Sequence, residues 1–385
     1  VSASFIAVFV IFASFLVNSG VGDFFMNSAM AIAGDKIGGP AKVAVVSSAI
    51  MGSVSGSSVG NVVTTGSVTI PLMKKVGFPS SKAGAIEVSS SINGVLTPPV
   101  MGAVAFLMTE YVGISYVEVV KTAIVPAAIS YIALVYIVHL EALKMNMPGT
   151  SKMHPVKFML GAIFIIAASI VIAGGTLFLC GVIVNAAQSL LGGAATWTIV
   201  FGMSVAYIFA VRFAAKGPDL EMSLDSMQHL PPTREIFKTG IHYLMPILLL
   251  MYLLMIERKS PGLSAFWSTM AMLVILATQN PIKAYFRGQS DMVSQLRQGF
   301  ADIAEGLIIG ARNMIGLAAA MGVAGIIVGA VTLTGIGQVM AEFVEFLSGG
   351  NLLAMLFFVA LISLADVMDQ TAVAQPAEAK TPAKP

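Results

Sequence analysis

Long apolar stretches alternate with short polar connections along the chain, at about 1–18, 43–54, 57–73, 83–109, 117–140, 158–191, 195–212, 240–256, 263–280, 304–331 and 350–365. Most approach the roughly 20 residues that a helix needs to cross a hydrocarbon core of about 30 Å. Lipid offers the backbone no hydrogen bonds, so helices are the expected spanning element and the pattern predicts an all-α polytopic membrane protein. Two runs break the rhythm. Residues 43–54 and 57–73 are each short for a full crossing and meet at a Ser/Gly cluster. Lys36 and Lys42 precede them and Lys74, Lys75 and Lys82 follow. Cytoplasmic loops collect Lys and Arg, so all five bases fall on one side and 43–73 is predicted to be a re-entrant hairpin.

The remaining crossings follow from the same charge map. Residues 83–109 run outward to TEYVGIS, which has no base, and 117–140 return to Lys144, Lys152 and Lys157. Residues 158–191 count as one long or bent crossing, since 195–212 return to Arg212, Lys216, Arg234 and Lys238. Residues 240–256 go out, 263–280 come back to Lys283, Arg287 and Arg297, and 304–331 go out again. Glu257, Arg258 and Lys259 on the outer side are a mild exception.

Composition agrees. Apolar residues make up 57% of the chain and charged ones 10%, against about half and about a quarter in soluble domains. The 37 glycines suit helices that pack closely in lipid. A net charge of +2, with no basic tract carrying aromatics, speaks against a nucleic-acid partner. Cys180 is alone, and His139, His154, His229 and His242 lack ligand spacing, so neither a disulfide framework nor a zinc or haem site is expected. No triad order, paired-carboxylate motif or phosphate loop is present, so no enzyme, cofactor or ATP site is expected, and energy must come from an ion gradient or another chain.

Both ends read as cut. Val1 opens inside an apolar run with no signal-peptide features. After Leu364 the Ala, Pro, Lys and Glu content of 365–385 reads as a disordered tail. A shift of 315 residues aligns Asn18-Ser19-Gly20-Val21-Gly22-Asp23 with Leu333-Thr334-Gly335-Ile336-Gly337-Gln338 and places Gly34 on Gly349. The charge map puts Gly20 inside and Gly335 outside, which is the inverted repeat of many secondary transporters. The expected organisation is a first repeat over 1–145, connecting helices over 146–300, and the start of a second, incomplete repeat over 301–364. A second hairpin tip would fall near residue 370, inside the polar tail.

Two constellations carry candidate chemistry. The hairpin turn, Gly52 to Gly66, holds Ser53, Ser55, Gly56, Ser57, Ser58, Asn61, Thr64 and Thr65. Irregular backbone at membrane depth survives only where it is buried in protein or lines a cavity. Freed carbonyls with hydroxyl oxygens make a hard, neutral cage suited to Na⁺, and nearby helix starts offer N–H groups to an anion. The competing reading is that these small residues only permit tight packing. The second constellation is Ser89-Ser90-Ser91-Ile92-Asn93-Gly94-Val95-Leu96-Thr97-Pro98-Pro99 within 83–109. Two prolines should break this crossing, leaving either a site or a simple kink. The predicted Na⁺ ligands are Ser55, Asn61, Asn93 and Thr97. Arg312 is a candidate contact for a substrate anion, with pairing to Glu305 or snorkelling as the structural alternatives. Glu87 is expected near the inner interface, where hydration tolerates its charge.

The run GDFFMNSAMAIAGDKIGGPAKVAVVSSAIMGSVSGSSVGNVVTTGSVTIPLMKKVGFP, then TPPVMGAVAFLMTEYVG and GARNMIGLAAAMGVAGIIVGAVTLTG, resembles the large or fused permease (DctM-like) of tripartite ATP-independent periplasmic (TRAP) transporters. The likeness covers roughly 1–145 and 300–364 and points to the branch served by TAXI-type solute receptors. It implies a Na⁺-coupled elevator transporter of the bacterial inner membrane that imports small organic acids. It further implies a periplasmic binding protein and a small membrane subunit, fused ahead of Val1 or separate, as partners. By the resemblance, Ser53, Ser55, Ser57, Asn61, Thr64 and Thr65 with Ser91, Asn93, Gly94, Thr97 and Pro98 form one half of the Na⁺ and substrate site. The chain departs from the family in three places. Asn93-Gly94-Val95 replaces a Gly-Gly-Gln-like stretch, 158–215 looks like an added helical pair, and no second hairpin is recognisable after Leu364. These 385 residues alone are therefore expected to show no Na⁺-dependent uptake. The alternatives are a receptor-independent elevator-type dicarboxylate/Na⁺ symporter and a non-transporting membrane scaffold. An intramembrane enzyme ranks last.

Overall fold

The computed structural model describes residues 2–34, 36–102, 105–106, 108–109, 112–147, 155–192, 195–217, 233–288 and 291–361. Among these every regular element is helical and there is no strand. Helix α1 (Ser2–Leu16) passes through a π-helical turn, Val17–Val21, into α2 (Gly22–Ala33). Then come α3 (Gly39–Ser55), α4 (Ser58–Lys75), α5 (Ser80–Leu96) and α6 (Tyr116–Lys144). The long α7 (Pro155–Leu191) and α8 (Ala195–Ala215) precede α9 (Thr233–Gly240), α10 (Leu244–Met255) and α11 (Pro261–Phe286). Helices α12 (Met292–Thr334), α13 (Ile336–Ser348) and α14 (Leu352–Leu361) close the described chain.

Among the described residues six helical stretches are long and apolar enough to cross a membrane: Ile6–Ala33, Tyr116–Lys144, Thr198–Ala215, Glu235–Met255, Pro261–Phe286 and Met292–Thr334. The all-α polytopic reading therefore holds. Two boundaries differ from the sequence expectation. The first apolar run does not stop at residue 18 but continues through the π turn to Ala33, because no proline or charge interrupts it before Asp23. Helix α12 begins about a dozen residues before 304, since its polar first turns still favour helix.

The chain divides into two units, Val1–Leu317 and Ala318–Pro385. In the first, α5 packs against both α3 and α4, α2 packs on α3, α6 on α3 and α5, and α1 on α11. Alanines let α3, α5 and α6 approach closely: Ala41, Ala44, Ala83 and Ala142 are buried with Val45, Met73, Phe78 and Val138. In the second, α13 is bounded by Gly335 (φ 69°) and Gly349 (φ 59°), both left-handed. Gly20 in the π turn is left-handed too (φ 89°), so Gly20 and Gly335, one of the glycine pairs that the 315-residue shift aligns, both interrupt a helix. Gly34 does not share the left-handed backbone of Gly349 (φ −65°). The tail 365–385 and the expected position of a second hairpin lie outside the described residues.

Candidate functional site

The hairpin forms because its turn is chemically specified. Helix α3 ends at Gly56, whose left-handed backbone (φ 61°) lets its N–H reach the Gly52 carbonyl. Helix α4 starts at once: Ser57 is extended, and its hydroxyl accepts the Gly60 N–H at 3.1 Å. The break in 83–109 is equally local. Thr97 precedes Pro98 and is held extended (φ −87°, ψ 123°), which ends α5 at Leu96. The Thr97 hydroxyl turns back to donate to the Asn93 carbonyl at 2.9 Å.

The structure docks this break onto the hairpin tip. The Val100 N–H donates to the Ser53 carbonyl at 3.0 Å. A Cβ at Gly56 would collide with the Met101 carbonyl, so the two backbones touch there. Below the tip, α3 and α5 cross at Gly52 and Gly94: a Cβ on Gly94 would lie 2.7 Å from the Gly52 Cα. Asn61 sits beside this crossing, fully buried, its amide donating to the Ser48 carbonyl at 2.9 Å and its Oδ1 3.5 Å from the Thr65 hydroxyl. The Tyr116 hydroxyl, at the start of α6, reaches the Pro99 (2.9 Å) and Val100 (2.6 Å) carbonyls, and its ring stacks on Phe106 at 5.0 Å. Tyr116→Phe is expected to cost about 1 kcal/mol, read as a lower unfolding temperature, because the two carbonyls share the one hydrogen of that hydroxyl and lose it together.

The other predicted residues are placed as follows. Ser53 donates to the Ile50 carbonyl and Thr64 to the Gly60 carbonyl, both at 2.8 Å; the Ser55 hydroxyl lies 3.5 Å from the Ser57 N–H. Asn93 accepts a hydrogen bond from Ser130 of α6 through Oδ1 at 2.8 Å. The Ser91 hydroxyl, one turn before Gly94, is buried with no hydrogen-bond partner among the described residues, the kind of orphan that a bound ligand satisfies. Arg312 is exposed on α12, and no ion pair joins it to Glu305 among the described residues.

Glu87 requires a correction. It is not at a hydrated interface but fully buried, accepting from the hydroxyls of Ser48, Thr65 and Thr69. The reason is helical register: Asn61, Thr65 and Thr69 repeat every four residues on one face of α4, and α5 turns Glu87, Ser91 and Gly94 toward α3 and α4. That stripe was visible in the sequence; what faces it depends on the packing of α5.

A pocket of about 240 Å³ opens between α4 and the π turn. Thr64, Thr65, Ser67 and Val68 form one wall, and Val17, Gly20, Gly22, Asp23 and Met26 around the π turn form the other. Its carboxylate suits a cation better than an organic anion. The π turn is braced from α11: Gln279 donates to the Ser19 carbonyl at 3.2 Å and lies 3.3 Å from His242 Nε2. None of Gln279, His242 and Asp23 is among the candidate site residues read from the sequence. Gln279→Leu is expected to leave the fold intact but lower the unfolding temperature, at a cost of about 1–3 kcal/mol, because the Ser19 carbonyl loses a buried donor.

Residues 1–194, which contain the hairpin and the broken helix, match the family model described as tripartite ATP-independent periplasmic transporter, DctM component. Similar curated proteins include the C4-dicarboxylate TRAP transporter large permease protein DctM of Rhodobacter capsulatus, 38% identical over 101 residues, or 25% of this chain and 23% of that protein. The uncharacterized protein y4mL of Sinorhizobium fredii is 36% identical over 100 residues, or 26% of this chain and 23% of its own. The 2,3-diketo-L-gulonate TRAP transporter large permease protein YiaN of Escherichia coli is 26% identical over 123 residues, or 32% of this chain and 28% of its own. The matches thus span about a quarter of the length of these relatives.

Proposed function

The chain belongs to the DctM component family of tripartite ATP-independent periplasmic transporters, and on that premise we propose that it acts as the membrane permease subunit of a Na⁺-coupled importer of small organic acids. Its family is one of transporter permeases rather than enzymes. In this reading a periplasmic solute-binding protein of the TAXI type delivers the carboxylate, and a small membrane subunit completes the assembly in the bacterial inner membrane. Alternating access follows an elevator motion of the hairpin-bearing repeat.

The observation that supports this reading best is the docking of the broken helix on the hairpin tip, through Val100 N–H to Ser53 carbonyl and the Gly52–Gly94 crossing. Secondary transporters place ion and substrate sites where helices are interrupted near the midplane, because only there are backbone carbonyls and amides free of helix bonds. Ser55, Asn61, Asn93 and Thr97 supply the neutral oxygens for Na⁺, a hard cation that needs no thiolate or imidazole. One neighbouring oxygen strengthens the set: the orphan Ser91 hydroxyl, one turn before the Gly94 crossing. Arg312 is retained as the contact for a substrate carboxylate.

The test is uptake into proteoliposomes carrying the permease and its small subunit, with the receptor outside. Uptake of a labelled carboxylate is expected to require both a Na⁺ gradient and the receptor. Equal uptake with K⁺ replacing Na⁺ rules out the coupling ion, and equal uptake without receptor favours the receptor-independent symporter.

A further inference from the structure

Glu87 is not among the predicted Na⁺ ligands, yet it is a wholly buried acid held by hydroxyls from both hairpin arms. The residue is 0% exposed, and Gly66 leaves room for it: a Cβ there would fall 3.0 Å from its Cγ. Ser48 of α3 reaches Oε1 at 3.1 Å, Thr65 of α4 reaches the same oxygen, and Thr69, one turn later, reaches Oε2 at 2.5 Å. Among the described residues no ion pair meets this carboxyl. Among the described residues, Asp23 of α2 lines the pocket on which Thr65 also borders, and the other titratable and charged groups on the packed helices are placed as follows. Lys42 of α3 lies 3.1 Å from His139 Nδ1 of α6, Lys82 of α5 pairs with Glu141 of α6, and Tyr131 of α6 reaches the Ser90 carbonyl at 3.4 Å. Lys74 and Lys75 at the end of α4 are exposed.

Counting hydrogens decides what the cluster can bind. Each hydroxyl owns one hydrogen, and an ionised carboxylate only accepts. With Glu87 ionised, Ser48, Thr65 and Thr69 can all point their hydrogens at it. With Glu87 protonated, its own hydrogen goes to a threonine, whose hydrogen then needs another acceptor. Both threonines have one: Thr65 Oγ1 lies 2.8 Å from the Asn61 carbonyl, and Thr69 Oγ1 lies 3.0 Å from the Thr65 carbonyl. Either protonation state is therefore fully hydrogen-bonded, and the change needs only the rotation of hydroxyl hydrogens. The three hydroxyls hydrogen-bond the carboxyl directly, and the cation that these bonds accommodate in either state is a proton.

We propose that Glu87, with Ser48, Thr65 and Thr69, is a proton-binding site built where both hairpin arms meet α5, adjoining Asn61 through the Thr65 hydroxyl. Because the site bridges α3, α4 and α5, its occupancy links pH to the same contact that the transport reading uses. The site itself does not depend on that reading.

Infrared difference spectroscopy on the purified full permease in lipid, without substrate or Na⁺ gradient, tests it directly. Between about pH 5 and about pH 9 the wild type should show a protonated-carboxyl C=O band that titrates reversibly, shifts in D2O, and is missing from Glu87→Gln. Thr69→Val removes a donor to the ionised form, so the midpoint of the band should move to higher pH by up to about one unit. A band that is absent or constant across the range, or that survives in Glu87→Gln, overturns the proposal. If Glu87→Gln does not fold, the Thr69→Val titration decides, and an unmoved midpoint overturns it. Failure of Na⁺-driven uptake in proteoliposomes leaves this result untouched, so the two readings fail separately.

Discussion

Gly94→Val is expected to abolish uptake and to reduce the yield of folded permease. The cause is the crossing of α3 and α5. A Cβ at position 94 would lie 2.7 Å from the Gly52 Cα, 3.1 Å from the Ser48 carbonyl oxygen and 3.3 Å from the Asn61 amide nitrogen. Two of those three neighbours are backbone atoms, which cannot rotate out of the way, so the helices must separate. Overpacking of this kind typically costs about 1–3 kcal/mol, and a β-branched side chain at a glycine crossing belongs at the upper end. Function should suffer more than stability. Separating α3 from α5 also pulls Val100 from the Ser53 carbonyl and Asn61 from the crossing, which dismantles the docked break. Gly94→Ala, with one methyl, should retain at most about a tenth of wild-type uptake, a change of about 1.4 kcal/mol. Gly84→Ala on the same helix is the control: nothing lies within 4 Å of its Cβ, so it should fold at least as well and transport normally. Normal uptake by Gly94→Val would falsify the close crossing.

How much of this was legible beforehand differs from feature to feature, and the difference is physical. The hairpin turn was readable because its signals are local: Gly56 for a left-handed C-terminus and Ser57 for an N-cap act within a few residues. The break was readable because a proline dictates the conformation of the residue before it, and Thr97 obeys. The π turn at Val17–Val21 was not, because its run lacks proline and charge. What holds it, Gln279, is some 260 residues away and unremarkable in sequence. Glu87 shows the same limit more sharply. Its place near the start of an apolar run suggested a hydrated interface, whereas its actual setting depends on α5 packing between Ser48 on one arm and Thr65 and Thr69 on the other. The charge map and the apolar runs report membrane depth; they do not report which faces meet. Gly20 and Gly335, which the 315-residue shift aligns, are both left-handed, a conformation that glycine adopts at little cost.

Asn61→Leu should remove Na⁺-stimulated uptake, and comparing it with Asn61→Asp separates a ligand role from a packing role. Asn61 is wholly enclosed, and its amide is the side-chain donor to the Ser48 carbonyl at 2.9 Å. Leucine has similar bulk, so the main loss is polar: the Ser48 carbonyl and the Thr65 hydroxyl each lose a neighbour, at about 1–3 kcal/mol. Aspartate keeps the side-chain oxygen and the shape but replaces the donor with charge. It also places a second buried carboxylate near Thr65, whose hydroxyl already serves Glu87. If Asn61 offers its oxygen to Na⁺, the leucine variant should need at least about tenfold more Na⁺ for half-maximal uptake, or show no stimulation at all. The aspartate variant should retain Na⁺ dependence at reduced rate, since the extra charge is neutralised when the cation binds. If Asn61 only braces the crossing, both variants lose stability in step, while the half-saturating Na⁺ concentration of whatever protein folds stays at the wild-type value. The readout is Na⁺ titration of uptake at matched amounts of folded permease, and a leucine variant with wild-type Na⁺ dependence removes Asn61 from the ligand set.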